Sequence, residues 1–307
     1  MIISASRRTD IPAFYSKWFI NRLKEQYLLI KNPFNTKLIK RVSLKPENID
    51  AIVFWTKNAK PIMQYLDEIS KNYFYYFQYT ITGYSNKIEQ FTPNPIHTIE
   101  NFIQLSDKIG KERVIWRYDP IVLTQYTPLK EHLRLFEKIA TLLHNKTNKV
   151  IISFADPYKK INKRLNNLNF IDILSIDFIE FQEFIQNISY IANSKSMIIE
   201  TCSENINLEK FNINHGKCID DNLIQHISNS KLKIQKDKYQ RNECGCVHSI
   251  DIGMYNTCPH GCLYCYANFS DISVKKNISL HNENSPLLIG NISKDELNKI
   301  NSSDSLF

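Results

Sequence analysis

Val114-Ile115-Trp116-Arg117-Tyr118-Asp119-Pro120 is a short run of β-branched and aromatic residues that ends in charge and a proline. Such a run reads as a buried strand leaving into a polar loop. The pattern recurs along the chain. Ile2–Ala5 exits into Ser6-Arg7-Arg8-Thr9-Asp10, Ala51–Trp55 into Thr56-Lys57-Asn58, and Tyr73–Thr82 ends in Gln78-Tyr79-Thr80-Ile81-Thr82. Val150–Phe154 is followed by Ala155-Asp156-Pro157 and Ser196–Thr201 by Cys202-Ser203-Glu204; Val247–Ile252 is the last candidate strand. Six polar exits together predict a charge-bearing mouth at one end of a sheet.

Between these runs apolar residues fall at helical spacing. Ile62, Tyr65, Leu66 and Ile69 make one stripe, and Ile99, Phe102 and Ile103 make another ahead of Gly110. Leu133, Phe136, Ala140 and Leu143 form a third; Phe178, Phe181, Ile185, Ile188 and Ala192 form a fourth. Pro12 suits the first turn of a helix running from Ala13 towards Glu25. Strands alternating with helices predict an α/β fold with a parallel sheet. Seven such units in residues 1–270 predict one domain, a full or partial (β/α) TIM-like barrel. A doubly wound open sheet is the alternative. Residues 31–44 read as an added hairpin, and residues 271–307 as a C-terminal extension with a loosely held end.

The composition narrows the function classes. Hydrophobic content of 43% and charged content of 23% over 307 residues are those of a globular protein. Only 7 glycines, with no G-x-G-x-x-G or Walker run, argue against a glycine-cradled nucleotide fold. The formal charge of +8 is scattered, so a solvated surface is preferred to a nucleic-acid face. No apolar stretch approaches the roughly 20 residues of a membrane span, and the N-terminus lacks the order of a secretory signal. The expectation is a cytoplasmic protein whose 7 cysteines are thiols or metal ligands rather than disulfides.

The chemistry concentrates in Tyr255-Asn256-Thr257-Cys258-Pro259-His260-Gly261-Cys262-Leu263-Tyr264-Cys265-Tyr266-Ala267-Asn268. Its C-x3-C-x2-C spacing puts three thiolates on one short loop. They can bind three corners of a [4Fe–4S] cubane and leave the fourth iron open. The competing reading is zinc held by these cysteines with His260 or His248, for which the spacing is poor.

This segment resembles the signature of radical S-adenosylmethionine (SAM) enzymes, in particular the branch of spore photoproduct lyase. Cys244-Gly245-Cys246, Asp251-Ile252-Gly253, Ser4-Ala5-Ser6-Arg7-Arg8-Thr9-Asp10, Phe54-Trp55-Thr56-Lys57-Asn58 and Trp116-Arg117-Tyr118-Asp119-Pro120 are similar to an uncharacterised bacterial family with that motif at its C-terminus. The resemblance implies a [4Fe–4S] cluster, SAM as cofactor, and an electron donor such as flavodoxin or ferredoxin. It brings no substrate; nucleic acid, peptide and small metabolite all stay admissible. Radical SAM proteins carry this loop after their first strand, whereas here it follows the last. The resemblance therefore implies a circularly permuted barrel, with Ile2–Ala5 as the usual second strand. Arg8, Thr9 and Asp10 then stand where a Gly-Gly-Glu segment usually meets the cofactor's amine. Thr9, Asp10, Arg117, Glu204 and Tyr264 are the cofactor-binding candidates.

Cys202, Cys218, Cys244 and Cys246 remain. Four thiols suffice for a second [4Fe–4S] cluster or a zinc site, against the plainer reading of buried thiols as small apolar residues. Arg117 with Asp119 orients a ligand or ties down a loop; Lys57 binds an anion or faces solvent. The aromatic strand from Tyr73 to Tyr79 is read as core. A non-catalytic iron–sulfur or zinc sensor is the rival function.

Overall fold

The computed structural model describes residues 1–33, 35, 38–155, 164–232, 234–293, 295–298 and 300. Ten strands form within them: β1 Ile2–Ala5, β2 Tyr27–Lys31, β3 Ile39–Ser43, β4 Ala51–Thr56, β5 Tyr75–Thr80, β6 Val114–Ile121, β7 Lys149–Phe154, β8 Ile198–Thr201, β9 Asn214–His215 and β10 Ile250–Asp251. Eight make one parallel sheet, in the order β10-β1-β4-β5-β6-β7-β8-β9. The other two, β2 and β3, pair antiparallel as the added hairpin.

From β4 to β9 each strand lies beside the next in the chain. Right-handed crossovers that always step the same way leave their helices on one face. Side chains confirm this two-sidedness. Ile3, Ile52, Phe54, Tyr75, Phe77, Trp116, Ile152 and Ile199 join the main core with the helices. Their alternate neighbours Ile2, Ala51, Val53, Tyr76, Ile115 and Ile151 belong to a second core. That inner face is covered by Cys218, Ile219, Ile224, Cys244, Cys246 and Val247, from residues 218–247 with their helix Asp221–Ser228. The expected aromatic strand is core on both faces.

Among the described residues no pairing joins β9 to β10, so the sheet is open and no closed barrel forms. The last candidate strand is also shorter than its apolar residues suggest. Val247 donates instead to Ile219 O and bridges Lys236, which draws it into the inner cover. Pairing with β1 begins only at Ile250. The helix anticipated from Ala13 is two, Ile11–Phe14 and Ser16–Glu25, meeting at Tyr15. The stripe at Ile62 to Ile69 likewise breaks into Lys60–Met63 and Leu66–Ile69. β6 runs past Arg117 to Ile121, while β9 carried no apolar run to announce it.

Beyond residue 270 the chain packs back on the start of the fold. Trp18 Nε1 donates to Ser285 O at 2.9 Å, Leu29 bridges Leu287, and Leu288 and Ile289 join the main core. No described helix is long and apolar enough to cross a membrane.

Candidate functional site

The three-cysteine loop starts a few residues after β10 and lies over the C-terminal ends of the sheet. Cys262, Tyr264 and Cys265 pack with Tyr84 and Ile88 from beyond β5, Val122 from beyond β6 and Ala155 from beyond β7. Backbone bonds clip the loop down. Phe91 N–H donates to His260 O and Leu263 N–H to Ile88 O, both at 3.0 Å. Tyr15 Oη donates to Thr257 O and Asn268 Nδ2 to Cys258 O, each at 2.6 Å.

Burial pushes all three loop thiols up. Opposing contacts surround each sulfur. Backbone N–H groups of His260 and Asp10 point at Cys258, and those of Ala267 and Asn268 at Cys265. The Ala267 bond to Cys265 Sγ is 3.3 Å. Lys57 lowers the cost of ionising Cys262. Amide donors and a cation favour thiolates, and such donors to sulfur tune iron–sulfur clusters. The donor set therefore fits a three-thiolate centre. The unpartnered, buried His260 Nδ1 and Asn268 Oδ1 lie in the same segment.

Gly261 occupies the tight point of the loop, at φ +65°, and a Cβ there would come within 2.6 Å of the Phe91 ring. Gly261→Ala is expected to destabilise the protein by about 1–3 kcal/mol, from left-handed strain plus overpacking. Urea unfolding measures it; an unchanged midpoint would show that the loop gives way freely.

A buried ion pair walls the loop. Lys57 Nζ reaches Glu89 Oε1 at 2.8 Å, and the same oxygen accepts from Thr82 Oγ1 at 2.7 Å and from the Tyr264 hydroxyl. The Lys57 ammonium also stands 5.7 Å from the Tyr264 ring centroid. A shallow depression, with room for little more than a water molecule, opens beside Lys57, Thr82, Glu89 and Thr98.

The predicted cofactor residues divide. Tyr264 belongs to this wall. Thr9 is buried with its hydroxyl unpartnered. Asp10 is fully engaged: Oδ1 accepts from Ala13 N–H at 2.9 Å, and Oδ2 from Lys57 N–H and His260 Nε2, each at 2.8 Å. Its carboxylate anchors the cysteine loop through His260. Glu204 Oε1 accepts from Phe154 N–H at 2.8 Å. Arg117 sits on the inner face of β6, bonded to Asp119, Gln78 and Cys218. It serves the second cysteine group rather than the loop. Asp156 and Pro157 lie outside the described residues.

That second group assembles on the inner face. Cys202 Sγ and Cys218 Sγ are 3.2 Å apart, Cys218 contacts Cys246, and Cys246 contacts Cys244. Hydrogen bonds from its neighbours pull Cys246 down, with Arg7 adding to the effect. A hydrogen bond from Cys218, with Arg117 behind it, lowers Cys202. Among the described residues no three His, Cys, Asp or Glu side chains stand, as placed, as a ligand set for one ion.

Glu89 and His260 escaped the sequence reading as functional residues. Glu89 lies in a loop with no spacing signal. In sequence His260 stands out only as a zinc ligand, although a place between two cysteines also suits a loop anchor. A family model described as a domain of unknown function (DUF1848) matches residues 2–267. No curated protein and no solved structure matches the chain.

Proposed function

The chain belongs to the DUF1848 family, and from its cysteine loop we propose that it is an iron–sulfur protein acting as a radical SAM enzyme. The observation that carries the reading is the placement of Cys258, Cys262 and Cys265. All three sit on one loop, straight after the strand beside β1, over the C-terminal ends of a sequentially ordered parallel sheet. Active sites of (β/α) barrels lie at those ends. The neighbouring of the last strand and the first also supports a partial barrel whose strand order is circularly permuted.

When bound, a [4Fe–4S] cluster would supply the electron for reductive cleavage of SAM. This chain's residues hold and shield that group. Cys258, Cys262 and Cys265 would hold it as thiolates, and the N–H groups of Ala267, Asn268 and His260 would stabilise their charge. Lys57 balances Cys262, while Glu89 and Tyr264 keep Lys57 in place. Asp10 and His260 fix the loop's approach to the sheet. An electron donor of the flavodoxin or ferredoxin type is the implied partner.

The test is anaerobic reconstitution with iron and sulfide, reduction with dithionite, and chromatography for 5′-deoxyadenosine from SAM. Wild type is expected to form it and Cys262→Ala to lose at least 100-fold of the yield, about 2.7 kcal/mol in rate terms. Stable iron without cofactor cleavage would instead favour a sensor or electron carrier.

A further inference from the structure

Cys202, Cys218, Cys244 and Cys246 are separated by long stretches of chain, yet the fold gathers them. Cys202 follows β8; Cys218 lies just beyond β9; Cys244 and Cys246 return over the inner face before β10. Their sulfurs touch in sequence, Cys202 to Cys218 at 3.2 Å, then Cys218 to Cys246 and Cys246 to Cys244. The Cys-Gly-Cys turn presses directly on its partner segment. A Cβ on Gly245 would lie 2.9 Å from Lys217 Cγ and 3.3 Å from Gly216 O.

Thiols buried merely as small apolar groups attract no cation. These do. Arg117 Nη1 donates to Cys218 Sγ at 2.8 Å, and Ile219 N–H donates to Cys246 Sγ at 3.3 Å. Arg7 interacts with both Cys246 and Cys218. Both guanidinium groups also lie near the Trp55 ring, 5.2 Å from its centroid for Arg7 and 4.9 Å for Arg117. Four thiolates around a dication carry two negative charges in excess. The guanidinium groups of buried Arg117 and half-buried Arg7 are the matching countercharge, although Asp119 shares Arg117.

We propose that Cys202, Cys218, Cys244 and Cys246 form a second metal centre, which takes one tetrahedral thiophilic divalent cation of the zinc class. Metal–sulfur bonds of about 2.3 Å place tetrahedral sulfurs about 3.8 Å apart. In a cubane each cysteine binds a different iron, so the sulfurs splay. At 3.2 Å, Cys202 and Cys218 stand nearer to the single-ion spacing than to the wider spacing of a cubane. As placed, the thiols form a chain rather than a tetrahedron, so binding replaces their S–H protons and turns Cys202 and Cys244, the chain's ends, onto the ion. The ion would join the strand end after β8 to the inner cover and close the open side of the sheet.

The test is made on the full chain with Cys258, Cys262 and Cys265 all replaced by alanine, so the loop's chemistry cannot contribute. The purified protein is analysed for zinc, iron and acid-labile sulfide. About one zinc per chain and no sulfide are expected, with cobalt(II) exchange giving sulfur-to-metal charge-transfer bands. Adding Cys218→Ser is expected to cut bound zinc at least tenfold, with the far-ultraviolet circular dichroism unchanged. Folded protein with no metal, or with iron and sulfide, overturns the proposal while leaving the loop reading untouched. Should the triple variant not fold, thiol labelling of the native chain decides. A zinc chelator is then expected to expose Cys202, Cys218, Cys244 and Cys246 to alkylation; reactivity indifferent to the chelator overturns it.

Discussion

Glu89→Gln is expected to lower stability by about 3–5 kcal/mol, the cost of leaving one partner of a buried ion pair without its countercharge. The lysine that would be stranded is deep: Lys57 is 13% exposed at its side chain and Glu89 7%. Burial opposes the charge on each, but mutual attraction and hydrogen bonds outweigh it. The result is a Glu89 carboxyl held below its usual range and a Lys57 ammonium held above. The sign of the pH dependence follows. A depressed carboxyl stabilises above its unfolded value of about 4.3 and loses that contribution as the solution is acidified. A raised ammonium stabilises below about 10.4 and loses its contribution in alkali. The pair therefore supports the fold between those limits, and Glu89→Gln should flatten both limbs of the stability profile. Urea midpoints across pH measure it. Lys57→Met with Glu89→Gln should recover much of the loss, because no charge then stays buried alone. A double variant as unstable as the single one would place the cost in packing instead.

His132 governs the second expectation, a stability loss of about 3 kcal/mol between pH 6.5 and 4. Its ring is fully buried on the helix Leu129–Leu142. The hydrogen-bond network assigns the tautomer: Nε2–H donates to Val122 O at 3.2 Å and Nδ1 accepts from the Tyr118 hydroxyl at 2.9 Å. Both nitrogens are satisfied only in the neutral form, and burial pushes the ring down to about 4. A folded value below the unfolded one, about 6.5, gives full stability above that pH. The contribution then drains away as the unfolded chain takes the proton and the folded one refuses it. His132→Gln should lose this slope while costing stability at neutral pH. An acid limb unchanged in the variant would assign the slope to other groups.

Local chemistry made much of this protein legible. Short apolar runs ending in charge gave strands, because a strand covered on both faces must be apolar along its length. Helical stripes gave the outer layer, and the hairpin read at residues 31–44 stood apart because it broke the alternation, although its first strand starts earlier, at Tyr27. The loop of Cys258, Cys262 and Cys265 stands out in the sequence because its three cysteines lie within eight residues. Some boundaries were not legible. Val247 looks like strand, but its partner is Ile219, far off in the sequence.

By itself, then, the sequence determined an alternating α/β chain with a three-cysteine loop after its last strand. Periodicity and spacing are properties of neighbouring residues, and they survive without a fold. Tertiary structure alone decided that the sheet stays open, whereas β10 beside β1 is the neighbouring that the permutation implied by the resemblance leads one to expect. It alone gave Lys57 the countercharge of Glu89, put Asp10 on His260 rather than in free reach, and gathered four scattered cysteines around Arg117. Those pairings join residues tens to hundreds of positions apart. Which of them form is settled by how strands stack and what the inner face must cover, and no local pattern records that.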